Sequence, residues 1–371
     1  MSTRRFLGLI SGTSFDAVDA AVIEIDASAR IELLGGLESP IERSLRQKLQ
    51  QLREPLVNLD LLAEVDSELA ERFAETALQC LDQLGLTQAD ISAIGSHGQT
   101  LWHRPTARHG NSLQVGNPAM IAAITGCPVV ADFRRADMAH GGQGAPLVPP
   151  FHQALFGQSE CPRAVLNLGG IANFTLLPGT NNTPVLGFDT GPANALLDEW
   201  AEYHSGAPCD LNGELASSGK INTELLQRWL QHPYFQQPAP KSTGREVFHM
   251  GGLQPDPLTL EASAADIAAT LTELTAVSVA EALQREWPQA LPQAEVIAIG
   301  GGTRNGYLMQ RLGKQLAPAR LLSGTELGVD SALIEAAAFA WLAARRIDHL
   351  PGNLPSVTGA RQTCLLGAIY R

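Results

Sequence analysis

The chain has 371 residues, enough for about two domains of ordinary size. Hydrophobic residues make up 44% and charged residues 17%, so a sizeable core can be buried and a disordered chain is excluded. A formal charge of −12 sets the surface against phosphate backbones and anionic lipid, which excludes nucleic acid and membrane as general partners but not a small anion held by backbone amides.

No run of about 18 apolar residues offers a membrane span. The apolar stretch 6–10 is too short for a signal peptide. Cys80, Cys127, Cys161, Cys209 and Cys364 are far apart, with no CxxC, so reduced thiols in a cytoplasm are expected rather than a zinc site or disulfides.

In chain order, residues 6–10 read as a buried strand and 18–26 as a returning strand. The turn between them is Gly12-Thr13-Ser14-Phe15-Asp16-Ala17-Val18-Asp19. Its amides and hydroxyls suit phosphate oxygens, and Asp16 suits Mg²⁺; an ordinary hairpin turn with a solvated Asp is the plainer alternative. Residues 31–34 read as a third strand, and 45–53 and 61–84 carry helical spacing. A strand at 91–95 is followed by Ser96-His97-Gly98-Gln99-Thr100 and then Trp102, polar and aromatic side chains that suit a carbohydrate. A helix at 118–125 and a strand at 128–131 lead to Asp132-Phe133-Arg134, where Arg134 can grip a carboxylate. A buried His–Asp pair and a surface Arg are the plainer readings of these residues.

Residues 164–168 and 172–177 form a second strand pair around Gly169-Gly170, with Asn173 just beyond. This echoes the first hairpin and reads as an internal repeat, one copy per half. A strand at 185–188 ends at Asp189-Thr190-Gly191-Pro192, before a helix at 193–204. Asp189 is either a general base at a strand end or a capping residue, with Thr190 or Gly191 as other caps and Pro192 in the first turn. A loop at 233–240 and a long helix at 264–282 follow. The strand 295–299 runs into Gly300-Gly301-Gly302-Thr303-Arg304-Asn305, a platform for an adenosine or a tight strand–helix turn, and a helix at 305–316 comes after it. In the helix 331–344, Glu335 stands among apolar residues, either paired at a cleft edge or simply exposed. Strands alternate with helices, so the class is α/β. The halves are expected at 1–130 and 131–350, with the tail 350–371 returning to the first.

The stretches GLISGTSFDAVDAAV, GSHGQTLWHRP, ADFRRADMAHGGQGAPLVP, LNLGGIAN, GFDTGPANALLD and IGGGTRN, in this order, resemble the anhydro-N-acetylmuramic acid kinase family over essentially the whole chain. The resemblance implies a two-domain actin-like ATPase (ribonuclease H-like) fold with a central nucleotide cleft. It implies that ATP and water convert 1,6-anhydro-N-acetylmuramate to N-acetylmuramate 6-phosphate and ADP, in cell-wall recycling, by a cytoplasmic homodimer. Residues 12–19 would be the first phosphate loop, Gly169, Gly170 and Asn173 the second, and Gly300, Gly301, Gly302 and Asn305 the adenosine side. Asp189 matches the family's base, with Mg²⁺ assisting. His97, Gln99, Thr100, Arg134 and Glu335 would line the sugar site. The chain departs from the family pattern at Ala17 and Ala193, where Gly is expected; an Ala17 with positive φ would be strained. The rival readings are a kinase of another anhydrosugar such as levoglucosan, a plain sugar kinase without ring opening, and a non-catalytic nucleotide-gated module.

Overall fold

A computed structural model describes residues 3–12, 15–54, 56–106, 108–157, 161–179, 183–253 and 261–371. The chain divides into two compact units, Met1–Leu155 with Leu333–Arg371, and Phe156–Ala332. Residues 131–155 and the tail thus lie in the first unit. The expected positions Thr13 and Ser14 lie outside the described residues.

The strands of the first unit are β1 (Arg4–Ser11), β2 (Ala17–Ile25), β3 (Ile31–Pro40), β4 (Ile91–Arg104), β5 (Asn111–Val115) and β6 (Val129–Ala131), with β12 (Ala368–Tyr370) arriving from the chain's end. Those of the second are β7 (Arg163–Leu168), β8 (Ile171–Leu177), β9 (Leu186–Pro192), β10 (Glu295–Ile299) and β11 (Arg320–Ser323). The first sheet has the order β12-β6-β4-β1-β2-β3, with β5 on β4; the second has β11-β10-β7-β8-β9. In each, the leading strand pairs antiparallel with the second, the second with the third, and the leading strand lies parallel to a fourth and that to a fifth. The repeat read from the glycine hairpins is therefore a repeat of whole-sheet topology. This duplicated plan agrees with the two-domain fold that the resemblance implies.

β1 is apolar throughout its middle because both of its faces are covered. On one face lies helix Leu59–Gln83, with Val65, Leu69 and Phe73 fully buried in a core that includes Leu7 and Leu9. On the other lies helix Ile334–Ile347, apolar nearly all round. It rests directly on paired Gly8 and Gly95: a β-carbon at Gly8 would run into the carbonyl oxygen of Ala336, and one at Gly95 into that of Phe339. In the second unit the long helix Ala264–Glu286 buries Ile267, Leu271, Leu274 and Val279 in a core with Leu166 and Val296.

Several expectations need correcting. β4 does not end at Gly95 but continues to Arg104, because β5 supplies a new antiparallel partner to its polar half; the SHGQT residues therefore sit within a strand. β9 likewise runs on through Asp189 to Pro192, since β8 keeps pairing with it as far as Ile171↔Pro192. Thr190, Gly191 and Pro192 thus neither cap nor open the next helix, Asn194–Ser205, whose N-cap residue is Ala193. β3 extends to Pro40 along β2. Ala17 is the first residue of β2, paired with Pro40, and it is Phe15 that has a positive φ, 62°; the feared strain at Ala17 is absent.

In the first unit, buried Asp137 accepts from Gly144 N (2.8 Å), Asn353 Nδ2 (2.7 Å) and Thr358 Oγ1 (2.7 Å), which ties the returning tail to helix Phe133–Ala139. Three donors satisfy a carboxyl group that would otherwise be costly to bury. Cys80, Cys127 and Cys364 are buried, and burial pushes the Cys80 thiol up to about 11. No helix among the described residues is long and apolar enough to cross a membrane.

Candidate active site

The second unit gathers its candidates at one end of its sheet. β7 and β10 are parallel neighbours, and their C-terminal ends carry Gly169-Gly170 and Gly300-Gly301-Gly302 side by side. Gly300 has φ +86°, and a β-carbon there would meet Asn167 Oδ1, so only glycine fits. A β-carbon at Gly302 would lie 2.7 Å from that of Leu168, whereas Gly301 faces open space. The second and third glycine turns thus pack on each other and leave the backbone bare at Gly301. Asn305 Oδ1 accepts from Leu308 N at 3.0 Å and caps helix Gly306–Leu316, which leaves its side-chain amide for the expected adenosine side.

Across the same sheet, Asn167 pairs with Asn173, and Asn173 with Asp189. Directly opposed residues share a face, so these three side chains form a polar row leading away from the glycine turns. At about 4.8 Å per strand, Asp189 stands roughly 10 Å from Asn167. The carbonyls of Gly169 and Gly170 accept from the amides of Asn194 and Ala195, which fixes the turn on the start of the following helix.

Asp189 is held by a segment that the sequence reading passed over. Its Oδ2 accepts from Thr243 N (2.9 Å) and Ser242 Oγ (3.0 Å), its amide donates to Lys241 O (3.0 Å), and its carbonyl accepts from Tyr234 Oη (2.9 Å). No hydrogen bond is given to Oδ1 among the described residues. Burial raises the Asp189 carboxyl above the ordinary range, and the Thr243 and Ser242 bonds pull it partly back. Lys241 is buried, donates to Tyr234 O at 3.0 Å, lies 4.4 Å over the Tyr234 ring, and is lowered by burial to about 8. The signal available in the sequence was the run Lys241-Ser242-Thr243-Gly244-Arg245, turn formers followed by a cation just after a proline-bearing loop.

The first unit carries a different set. His97 is buried against Phe339, with ring centroids 4.6 Å apart. Its Nδ1 lies 2.9 Å from Gly98 O and so carries the proton, which leaves Nε2 to accept from Arg134 Nε (3.0 Å) and Nη2 (2.8 Å). Arg134 Nη1 donates to Gly144 O at 2.8 Å. The partner of His97 is therefore an arginine rather than the aspartate considered from the sequence. Burial and the Arg134 charge hold His97 well below its ordinary pKa, hence neutral. Burial lowers Arg134 to about 10, with Glu335 opposing. Beside them, Gln99 Oε1, Ser96 Oγ and Ser11 Oγ are buried without a partner among the described residues. Leu9 pairs with Ser96 and Ser11 with Gln99, so these residues lie where β1 ends against the middle of β4. Thr100 Oγ1 accepts from Gln114 Nε2 at 3.0 Å.

Glu335 is exposed, yet crowding by protein raises its carboxyl, with Arg134 opposing. A carboxylate reached by water from one side only meets both descriptions, and the accessible surface is the firmer guide to its hydration. Asp19 is raised to about 7, first by burial, then by Glu38 opposite it on β3 and by Glu335. Asp16 is exposed, and its Oδ1 accepts from Arg46 Nη1 at 2.8 Å. Gly12 faces open space, while Phe15 is buried and Val18 lies in the core. Among the described residues no three His, Cys, Asp or Glu side chains form a ready-made metal cage. The crowded charge of Asp19 and Glu335 nonetheless suits a cation, and Mg²⁺ commonly takes only one or two carboxylates, with phosphate and water completing its shell.

The family model described as anhydro-N-acetylmuramic acid kinase matches residues 4–371. A protein of Photobacterium profundum named anhydro-N-acetylmuramic acid kinase is 44% identical over 375 residues, covering 100% of this chain and 99% of its own. One of the same name from Xanthomonas campestris is 47% identical over 369 residues, covering 98% and 97%. Among solved structures, component A of (R)-2-hydroxyglutaryl-CoA dehydratase from Acidaminococcus fermentans aligns with a TM-score of 0.47 at 13% identity, covering 92% of this chain and 99% of that one.

Proposed function

The chain belongs to the anhydro-N-acetylmuramic acid kinase family and is an ATP-dependent sugar kinase, and from that premise we propose how its residues divide the reaction. The substrate is 1,6-anhydro-N-acetylmuramate. Asp189 Oδ1 takes a proton from water, the water oxygen bonds to the anomeric carbon, and the bond from that carbon to O6 breaks with its electrons on O6. O6 bonds to the γ-phosphorus of ATP as the bond to the β–γ bridging oxygen breaks, giving ADP and N-acetylmuramate 6-phosphate. The observation that carries this division is the row Asn167–Asn173–Asp189, which runs from the glycine turns to a carboxylate with one uncommitted oxygen. A raised pKa makes that carboxylate a stronger base near neutral pH.

In the second unit the turns at Gly169–Gly170 and Gly300–Gly302 offer backbone amides to the nucleotide, and in the first unit Gly12, which faces open space, is the candidate for a phosphate; amides suit a chain of charge −12. On the first unit, Gln99 Oε1 and the unpartnered serine hydroxyls accept or donate to sugar hydroxyls, and the His97–Arg134 pair presents a positive face to the lactyl carboxylate. Thr100 stands next in that strand. Asp19 and Glu335 would hold Mg²⁺, with Asp16 limited by its pairing to Arg46; when bound, the ion neutralises charge on the phosphates. Use of ATP supports a cytoplasmic location and a part in cell-wall recycling, and family likeness supports a homodimer, which light scattering checks.

The test is incubation with ATP, Mg²⁺ and the anhydrosugar in ¹⁸O-water, followed by mass analysis. One ¹⁸O at the anomeric position of a 6-phosphorylated reducing sugar is expected. A phosphorylated product that retains the anhydro ring, or one without ¹⁸O, overturns the coupled hydrolysis.

A further inference from the structure

Neither of the turns assigned to phosphate, residues 12–19 and 168–173, contains a lysine or arginine. Amides alone leave the charge that builds on a transferring phosphoryl group weakly compensated in a chain this acidic. The second unit supplies a cation at that place. Nε and Nη2 of Arg245 each lie 3.5 Å from where a β-carbon of Gly170 would stand, so the guanidinium covers the second glycine turn. Arg245 is exposed and makes no hydrogen bond or close ion pair among the described residues; the charge it feels is that of Asp198, whose carboxyl burial raises to about 6 and Arg245 pulls partly back. A guanidinium placed on a glycine turn, with its donors uncommitted, has the form of an unfilled anion fork.

Its position is not left to chance. The segment leading to it is fastened at Lys241, whose carbonyl accepts from Asp189 N and whose Nζ donates to Tyr234 O, and at Thr243, whose amide donates to Asp189 Oδ2. Beyond it, the amides of Val247 and Phe248 both donate to Gly244 O at 3.1 Å, and Phe248 is buried. Only three residues therefore separate the anchor at Lys241 from Arg245 over Gly170, and the same short segment orients the base and delivers the cation.

We propose that Arg245 contacts the terminal phosphates of ATP with both arms of its fork and stabilises the transferring γ-phosphoryl group. It stays protonated throughout. The bond from phosphorus to the β–γ bridging oxygen breaks with its electrons on ADP, a pair on O6 forms the new bond, and the guanidinium balances the charge on the equatorial oxygens. The proposal rests on the reading of Gly169-Gly170 as a phosphate turn, so the experiment tests that reading separately.

Hydrogen exchange with and without ATP comes first, read at the amides of residues 168–171. Then kcat, the KM for sugar and the Kd for ATP are compared for wild type, Arg245→Gln and Arg245→Lys, each checked for wild-type Tm. Protection of the turn by ATP is expected, together with a fall in kcat of about 10²–10³ in Arg245→Gln, the usual scale for losing one positioned charge-stabilising donor, and an unchanged KM for sugar. Arg245→Lys, which keeps the charge but loses the fork, is expected between the two, and it decides the matter if the Gln variant does not fold. Protection of the turn with wild-type kcat and Kd in either folded variant overturns the role of Arg245 and leaves the phosphate turn standing. No protection of the turn by ATP overturns the turn reading and the proposal with it.

Discussion

The two sheets share one strand order, but their leading strands end in unlike chemistry. β7 and its neighbour β10 end in glycine turns, and the row beside them carries amides and a carboxylate. Where β1 ends against the middle of β4 lie unpartnered hydroxyls and a neutral histidine under an arginine, with acids on β2 and on helix Ile334–Ile347. The duplication preserved the scaffold, which depends on backbone pairing and apolar faces. It did not preserve the functional ends, where no packing requirement fixes side-chain type. On the proposed reading the second unit supplies the base and two of the glycine turns, and the first supplies the groups for the sugar, the Gly12 turn and the carboxylates for Mg²⁺.

The sharpest way to break this comparison is Asp189→Asn. Turnover is expected to fall by about 10²–10⁴, the contribution of a positioned base, while calorimetry shows ATP binding unchanged. Near-normal turnover would remove the second unit's claim to the water-activating step. Next is Gly8→Ala in the first unit. The added methyl cannot coexist with the Ala336 carbonyl, so helix Ile334–Ile347 must shift, at a cost of about 1–3 kcal/mol or more in chemical denaturation. An unchanged midpoint would mean that the helix does not rest on the glycines.

Ser242→Ala should act more mildly. The Ser242 hydroxyl favours ionised Asp189, so its loss raises that carboxyl further. A hydrogen bond to a charged group is worth about 1.5–3 kcal/mol, and so the acid limb of the kcat profile is expected to move up by about one pH unit. A stationary limb with lower kcat would indicate a structural role only. The smallest effect is expected at Asp19. Its folded pKa of about 7 lies above the unfolded value, so the folded state holds the extra proton and stability falls as pH rises through that window. Asp19→Asn should therefore raise Tm at pH 8 but not at pH 4, and should weaken the stabilisation of the ATP complex by Mg²⁺. Equal Tm gains at both pH values would detach the effect from titration.

The sequence was most legible where one period governs a segment. The apolar runs of β1, β7 and β10 and the helices Leu59–Gln83 and Ala264–Glu286 lie within a few residues of their expected places, because burial on known faces dictates both length and type. β4 was expected to stop at Gly95 since polar residues and Gly98, with φ +73°, follow; a distant partner, β5, carries the pairing onward, and no local signal announces it. Asp189 was legible as a candidate, but its holders were not. Ser242 and Thr243 act on a position some 50 residues away in sequence, and their types alone spell an ordinary turn. Asn305 shows the converse: a polar residue after three glycines suggested a ligand contact, and helix capping uses the same side chain.

The ties from Asp137 to Asn353 and Thr358, and from β6 to β12, also bear on how the protein is made. The second unit is an uninterrupted stretch of chain and is complete as soon as residue 332 has left the ribosome. The first begins synthesis earlier and finishes later, because its edge strand, its covering helix and two of the donors to Asp137 are all translated last. Until they arrive, Gly8 and Gly95 expose a bare sheet face, and the Asp137 carboxylate lacks two of its three partners. The nascent N-terminal half must therefore wait, half-built, for the C-terminus, reversing the usual order in which domains of a growing chain mature.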